Sequence, residues 1–285
     1  MLAAGHTVTG LARSEASANA IAAMGADVRR GDLADLDGLR AAAAEADGVI
    51  HLAFRHDLMQ QGDMAAAGEV DLAALGAFAD ALAGTGKPLV GTSGTLMLAH
   101  AHLGRAGTED DVLDGGYRID SENLVIGLAS RGVRSAVVRL PPTVHSELDA
   151  HGFVPSLIAM ARAHGRAAYL GDGENRWAAG HTRDAARLYR LAFESAPAGT
   201  RLHAVGDEGI AFREIAEAIG RRLGVAAVSV AAEDAPESFG FLASFVALDA
   251  PVTSDVTRRV MGWEPREVGL LADLELEHYF ADAAN

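Results

Sequence analysis

The chain has 285 residues, 49% of them hydrophobic, and a formal net charge of -15. With 24 Lys and Arg against 39 Asp and Glu, no broad basic face can be assembled, which excludes nucleic acid as the expected partner. No cysteine is present, so disulfides, thiolate metal sites and a cysteine nucleophile are excluded. No apolar run is long enough to span a bilayer and the first residues lack the layout of a secretory signal, so the expectation is a cytoplasmic protein without a membrane partner.

In chain order, residues 6–12 have strand composition, and Ser14 is placed to cap an alanine-rich helix that ends near Gly25. A short strand over 26–30 and a helix over 35–46 follow. The apolar run 48–53 has the length of a buried strand. A long helix is predicted over 64–83, a strand over 88–93, a helix over 121–130 closed by Gly132, and a strand over 133–140 stopped by Pro141-Pro142. Strands alternating with helices at this spacing imply crossover units and a parallel sheet covered on both faces. Beyond Pro142, helices near 154–164, 184–195, 212–223 and 270–281 alternate with short strands at 168–170, 201–205 and 227–230. The division predicted is a dinucleotide-binding part over 1–150 and a smaller, mixed substrate-binding part over 151–285, interleaved with the first and capping the strand ends.

Five short motifs occur in order: Gly31-Asp32-Leu33, His51-Leu52-Ala53, Gly91-Thr92-Ser93-Gly94-Thr95, Val138-Arg139-Leu140-Pro141-Pro142 and His181-Thr182-Arg183-Asp184. Each is weak alone. Together they cover essentially the whole chain and resemble the extended and atypical short-chain dehydrogenases/reductases, the group named NAD-dependent epimerase/dehydratase. The resemblance implies an α/β, Rossmann-type doubly wound parallel sheet. It departs from the family at the start: residues 1–5 look like the last turn of a helix, residue 6 begins what would be the second strand, and no glycine-rich phosphate loop occurs nearby. The absent strand would lie between those at 6–12 and 48–53, and leaving it out would cost on the order of several kcal/mol, so the sequence reads as starting downstream of it.

The resemblance also assigns roles. Arg13 and Ser14 follow the second strand, where such folds choose their cofactor; Ala12 stands where an acid for the adenosine ribose is expected, and Arg13 can pair with a 2′-phosphate, which favours NADP over NAD. Asp32 and Leu33 would meet the adenine, Leu52, Ala53 and Phe54 would pack the cofactor from a strand end, and Thr92, Pro141 and Val144 would border it. Ser93 or Thr95 would hydrogen-bond the substrate oxygen, with Gly94 on the family's usual hydroxyl position. Tyr117 would supply the proton, but position 121 is Ser where the family has the Lys that lowers the tyrosine pKa. His145, His151 and Arg176 are candidates for the substrate side, Arg176 as a diphosphate anchor. His100-Ala101-His102 has no third ligand and is not read as a metal site. The function implied is an NAD(P)-dependent oxidoreductase, NADP(H)-preferring, acting on a carbonyl or secondary alcohol of a small organic substrate. The alternatives are nucleotide-sugar epimerase or dehydratase chemistry, or a non-catalytic NADP-binding sensor. A homodimer through the helices near 64–83 and 121–130 is a family expectation.

Overall fold

The computed structural model describes residues 1–116 and 118–281, and counts and absences below refer to those residues. The elements are β1 (Thr9–Ala12), α1 (Glu15–Ala23), β2 (Asp27–Arg30), α2 (Leu36–Glu45), β3 (Val49–Ile50), α3 (His56–Gln60), α4 (Met64–Leu82), β4 (Pro88–Gly94), α5 (Ile119–Gly127), β5 (Arg134–Leu140), β6 (Thr143–His145), α6 (Phe153–His164), β7 (Arg166–Leu170), β8 (Arg176–His181), α7 (Thr182–Ser195), β9 (Thr200–His203), β10 (Asp207–Ala211), α8 (Phe212–Leu223), β11 (Ala226–Val230), α9 (Ala235–Phe239), α10 (Asp255–Met261) and α11 (Leu270–Asp273). None of these helices is long and apolar enough to cross a membrane.

The central sheet is parallel, in the order β3-β4-β5-β9. Its two faces follow from the period of two along β4. Leu89 packs into a core with Leu75 and Phe78 of α4 and Val125 of α5, and Gly91 faces Val125 at close range. Val90 turns to the opposite core, with Leu188 and Tyr189 of α7. Both faces are thus covered, as a doubly wound sheet requires. β9 and α7 come from beyond residue 150, so the C-terminal half completes the layer that the N-terminal half begins. β1 and β2 form a separate parallel pair, with Thr9 opposite Asp27 and Ala12 opposite Arg30. No ladder joins that pair to β3.

The second half has its own small sheets, β10-β8-β6 and β11-β7. Around them lies the largest apolar cluster, with Trp177, Phe212, Phe239 and Leu242 each no more than 2% exposed. Helix α8 spans the predicted 212–223, because Phe212, Ile215, Ala216 and Ile219 recur at helical spacing and Gly224 (φ 68°) stops it. The predicted helix over 270–281 is instead two short pieces, α11 and a 3₁₀ turn at Glu277–Tyr279. Gly180 in β8 has no room for a side chain: a Cβ there would run into the carbonyl oxygen of Ala204, with Pro141 beside it. That close approach seats β8 under the turn that ends β5.

Candidate functional site

Strand ends converge on a cavity of about 820 Å³, a size suited to a small ligand. It opens where β4 and β5 finish. Ser93, Gly94, Leu140, Pro141, Pro142 and Val144 line one side. The remaining wall comes from α3, the start of α5, the loop 148–153 and residues 241–245.

Ser93 and Thr92 divide at this point. Thr92 faces α7: its hydroxyl donates to the carbonyl oxygen of His51 (2.7 Å), so the Tyr189 hydroxyl must be the donor to Thr92 (2.7 Å). Burial pushes the Tyr189 phenol far up, and it stays protonated. Thr92 therefore spends its hydroxyl inside the fold. Ser93 faces α5 and is 1% exposed; the residue borders the cavity, while its hydroxyl is buried beside the Glu122 carboxylate and helps lower that group's pKa. Thr95 is buried behind it, its hydroxyl unpartnered, and does not reach the cavity wall.

Beneath Ser93 runs a buried ionic network. Glu122 of α5 accepts from Arg139 Nε (3.0 Å) and Nη2 (2.6 Å) and from Arg201 Nε (2.6 Å). Burial alone would raise the Glu122 carboxyl, but the two guanidiniums outweigh it and hold it below the ordinary range. Arg139 also donates to the Asp111 carbonyl (2.8 Å) and to His203 Nε2 (3.2 Å). His203 Nδ1 faces the Thr253 carbonyl at 2.7 Å, which fixes the neutral Nδ1–H tautomer; burial pushes this imidazole down to about 4.

A second buried pair stands at the end of β3: His51 Nε2 lies 2.7 Å from Asp71 Oδ1 of α4, both at most 5% exposed. Ser121, at the position for which the resemblance implies a lysine, is buried beside Asp71 and helps lower that carboxyl's pKa. The single lysine of the chain, Lys87, is elsewhere and donates to the carbonyls of Ala44 (3.0 Å) and Ala46 (2.7 Å). The cation that does reach the cavity is Arg118, with its guanidinium 4.1 Å above the Phe54 ring. His56 packs edge-on against the same ring at 5.4 Å.

The other predicted residues fall as follows. Ser14 caps α1, accepting from Ser17 N at 3.1 Å, and Arg13 beside it is exposed with no ion pair. Asp32 follows β2 and accepts from Ala34 N (2.9 Å), while Leu33 turns inward to the core with Leu39 and Leu75. Leu52 is 59% exposed and Ala53 is exposed, leaving an apolar strand end uncovered; Phe54 reaches the cavity. Pro141, Val144 and His151 line the cavity. His145 does not: it is fully buried, with Nδ1 donating to Asp273 (2.8 Å), and burial lowers its pKa despite that partner. Arg176 lies on a different, polar cavity and forms a two-pronged pair with Asp249 (3.0 and 2.8 Å). Tyr117 lies outside the described residues. The rim loop is held from the C-terminus, where Tyr279 donates to Asp149 (3.1 Å) and accepts from Ser146 N (3.1 Å).

The residues that would hold a dinucleotide are exposed Arg13, the Ser14-capped α1 and Asp32 for the adenosine, and the bare Leu52–Ala53 strand end with Pro141 and Val144 for the nicotinamide. Sequence reasoning missed Arg118, His56, Phe153, Phe241 and Phe245. The spacing of Phe239, Phe241 and Phe245 in an aromatic-poor chain was the available signal.

No family model matches the sequence. An uncharacterized protein of Schizosaccharomyces pombe is 43% identical over 282 residues, spanning 98% of this chain and 94% of that one. An uncharacterized protein of Saccharomyces cerevisiae is 40% identical over 283 residues, 98% and 93% of the two chains. Among solved structures, UDP-glucose 4-epimerase of Thermotoga maritima with UDP-glucose is similar at TM-score 0.77 and 15% identity, over 98% of this chain and 92% of that one. A dTDP-glucose 4,6-dehydratase of Bacillus anthracis in complex with NAD is similar at TM-score 0.74 and 12% identity, over 98% and 90%. The chain therefore belongs to one family with the two yeast proteins, and its fold is that of the extended short-chain dehydrogenases/reductases, the NAD-dependent epimerase/dehydratase group.

Proposed function

We propose that the protein is an oxidoreductase of the short-chain dehydrogenase/reductase type, NADP(H)-preferring, that acts on a carbonyl or secondary alcohol of a small organic substrate. The observation that carries this is Ser93, near the end of β4 beside a cavity also bordered by Pro141 and Val144, with its buried hydroxyl next to the Glu122 carboxylate. A bound nicotinamide would supply the hydride. Ser93 donates a hydrogen bond to the substrate oxygen and polarises the carbon to be reduced. Tyr117, next in sequence to Arg118, is the proposed proton donor to that oxygen, acting as an acid because no lysine follows it at position 121.

The NADP preference rests on Arg13, exposed and unpaired beside the buried Ala12, with Arg29 and Arg30 already engaged by Glu45 and Glu15. Titration of the chain with NADPH and NADH tests it: NADPH should bind at least about tenfold tighter, and equal affinities overturn the preference. A second reading, a cofactor-binding protein without turnover, is favoured by one fact, that the single lysine is tied up far from Ser121. NADPH binding with no oxidation across ketones and aldehydes would select it. In the catalytic reading, Ser93→Ala lowers kcat about a hundredfold with NADPH affinity unchanged.

A further inference from the structure

The cavity beside Ser93 is divided by chemistry. One wall groups Arg118 and His56 about the Phe54 ring, which Arg118 covers at 4.1 Å, and Ser93 borders the same cavity. The other groups three phenylalanines: Phe153 lies 6.3 Å from Phe241 and 5.7 Å from Phe245 between ring centroids, and Trp177 backs Phe153 at 5.8 Å. Leu96, Met59 and Met97 extend the apolar wall. An adjoining cavity of about 570 Å³ shares Met59, Gln60, Met97, Phe241 and Phe245 with the first but not Ser93. The apolar side therefore continues away from the reacting end.

Charge tells the same story. Among the described residues, Arg118 is the one arginine or lysine lining either cavity, and it lies over Phe54 in the cavity that Ser93 borders. Arg176 and Arg105 line a separate cavity, each paired with a carboxylate, Asp249 and Asp111. Asp149 adds a carboxyl to the wall of the main cavity. A diphosphate brought here would meet aromatic rings and a carboxyl group where it needs several cations, and burying such a charge unpaired is prohibitive.

We propose that the substrate is an uncharged ketone or aldehyde, or the corresponding alcohol, carried on a bulky aromatic or otherwise apolar body, and not a nucleotide sugar. The oxygen meets Ser93 and the body lies against Phe153, Phe241 and Phe245. In reduction, hydride adds to the carbonyl carbon while a proton adds to its oxygen, and NADPH is oxidised to NADP⁺. This proposal rests on the oxidoreductase reading for its turnover and on the cavity alone for its binding.

The test uses the full chain with 4-phenylbutan-2-one, acetone and UDP-glucose as probes. Binding is read by quenching of tryptophan fluorescence, because Trp177 touches the subsite through Phe153; turnover is read by NADPH absorbance. The aromatic ketone should bind at least about tenfold tighter than acetone, and UDP-glucose should not bind measurably. Phe245→Ala should erase most of that preference and Phe245→Leu should keep it, while NADPH affinity is the same in both. UDP-glucose binding as tight as the ketone, no ketone binding at all, or a preference indifferent to Phe245→Ala overturns the proposal. Tight ketone binding without NADPH oxidation upholds the ligand class and overturns the oxidoreductase reading. NADPH oxidation with acetone favoured over the aromatic ketone does the reverse.

Discussion

Glu122→Gln isolates the charge at the centre of the network below Ser93. Gln has the shape of a protonated Glu, so the substitution is silent if the carboxyl is neutral and costly if it is ionised. The geometry requires ionisation: the carboxylate accepts three bonds of 2.6–3.0 Å from two guanidiniums, and Arg139 is itself 1% exposed. In the variant the amide oxygen can keep the two bonds now made to Oε1, the NH₂ then faces the Arg139 Nε donor, and a buried cation loses its counter-charge. Breaking a buried pair from one side costs about 3–5 kcal/mol. Removing both partners costs less than the sum, since the unpaired charge goes too. Urea denaturation at pH 7, followed by tryptophan fluorescence, should therefore show a loss of about 3–5 kcal/mol for Glu122→Gln. Glu122→Leu with Arg139→Met should lose less than the two single variants added together. A loss below about 1 kcal/mol for Glu122→Gln, or simple additivity in the cycle, would refute an ionised, coupled pair.

Acid should unfold the protein early. His203 is neutral when folded, with its pKa pushed down to about 4 by burial against 6.5 when free, so the unfolded chain binds the extra proton between those values. Stability falls as pH drops from 6.5 towards 4, by up to about 3 kcal/mol from this residue, and His145 adds in the same direction. Denaturant midpoints across that range check it; a flat profile, or one that His203→Gln leaves equally steep, counts against it. Gly180→Ala forces a methyl against the Ala204 carbonyl and should cost about 1–3 kcal/mol by overpacking, with weaker substrate binding because Pro141 shifts with it; a variant as stable as the parent would be incompatible with the close approach.

The central layer was legible in the sequence because its elements are long or strongly patterned. The observed α4 and β4 differ from the prediction by one residue at one end, and the alternation along β4 already implied that Thr92 and Ser93 face opposite ways. The strands β6, β8 and β10 were not legible: Arg176–His181 mixes charged, aromatic and small residues, and its pairing is set by neighbours distant in sequence. The same distance hid the role of His145, whose partner Asp273 lies 128 residues away. The stretch 270–281 carries a helical apolar spacing, yet its chain is bent to bring Asp273 to His145 of β6 and Tyr279 to the cavity loop, a tertiary demand that overrides local preference. Arg118 stands at the N-cap of α5, where an acid would suit the helix dipole; Phe54 beneath its guanidinium and the Asp71 carboxylate nearby are the partners that favour a cation there.

The tie from Tyr279 to the rim loop has a consequence for the mouth of the cavity. One hydroxyl donates to Asp149 and accepts from Ser146 N, joining residues 130 and 133 positions apart in the chain. The segment that holds the rim in place contributes none of the residues that line the cavity. A change at Tyr279 would therefore reshape an opening that the residue itself never touches.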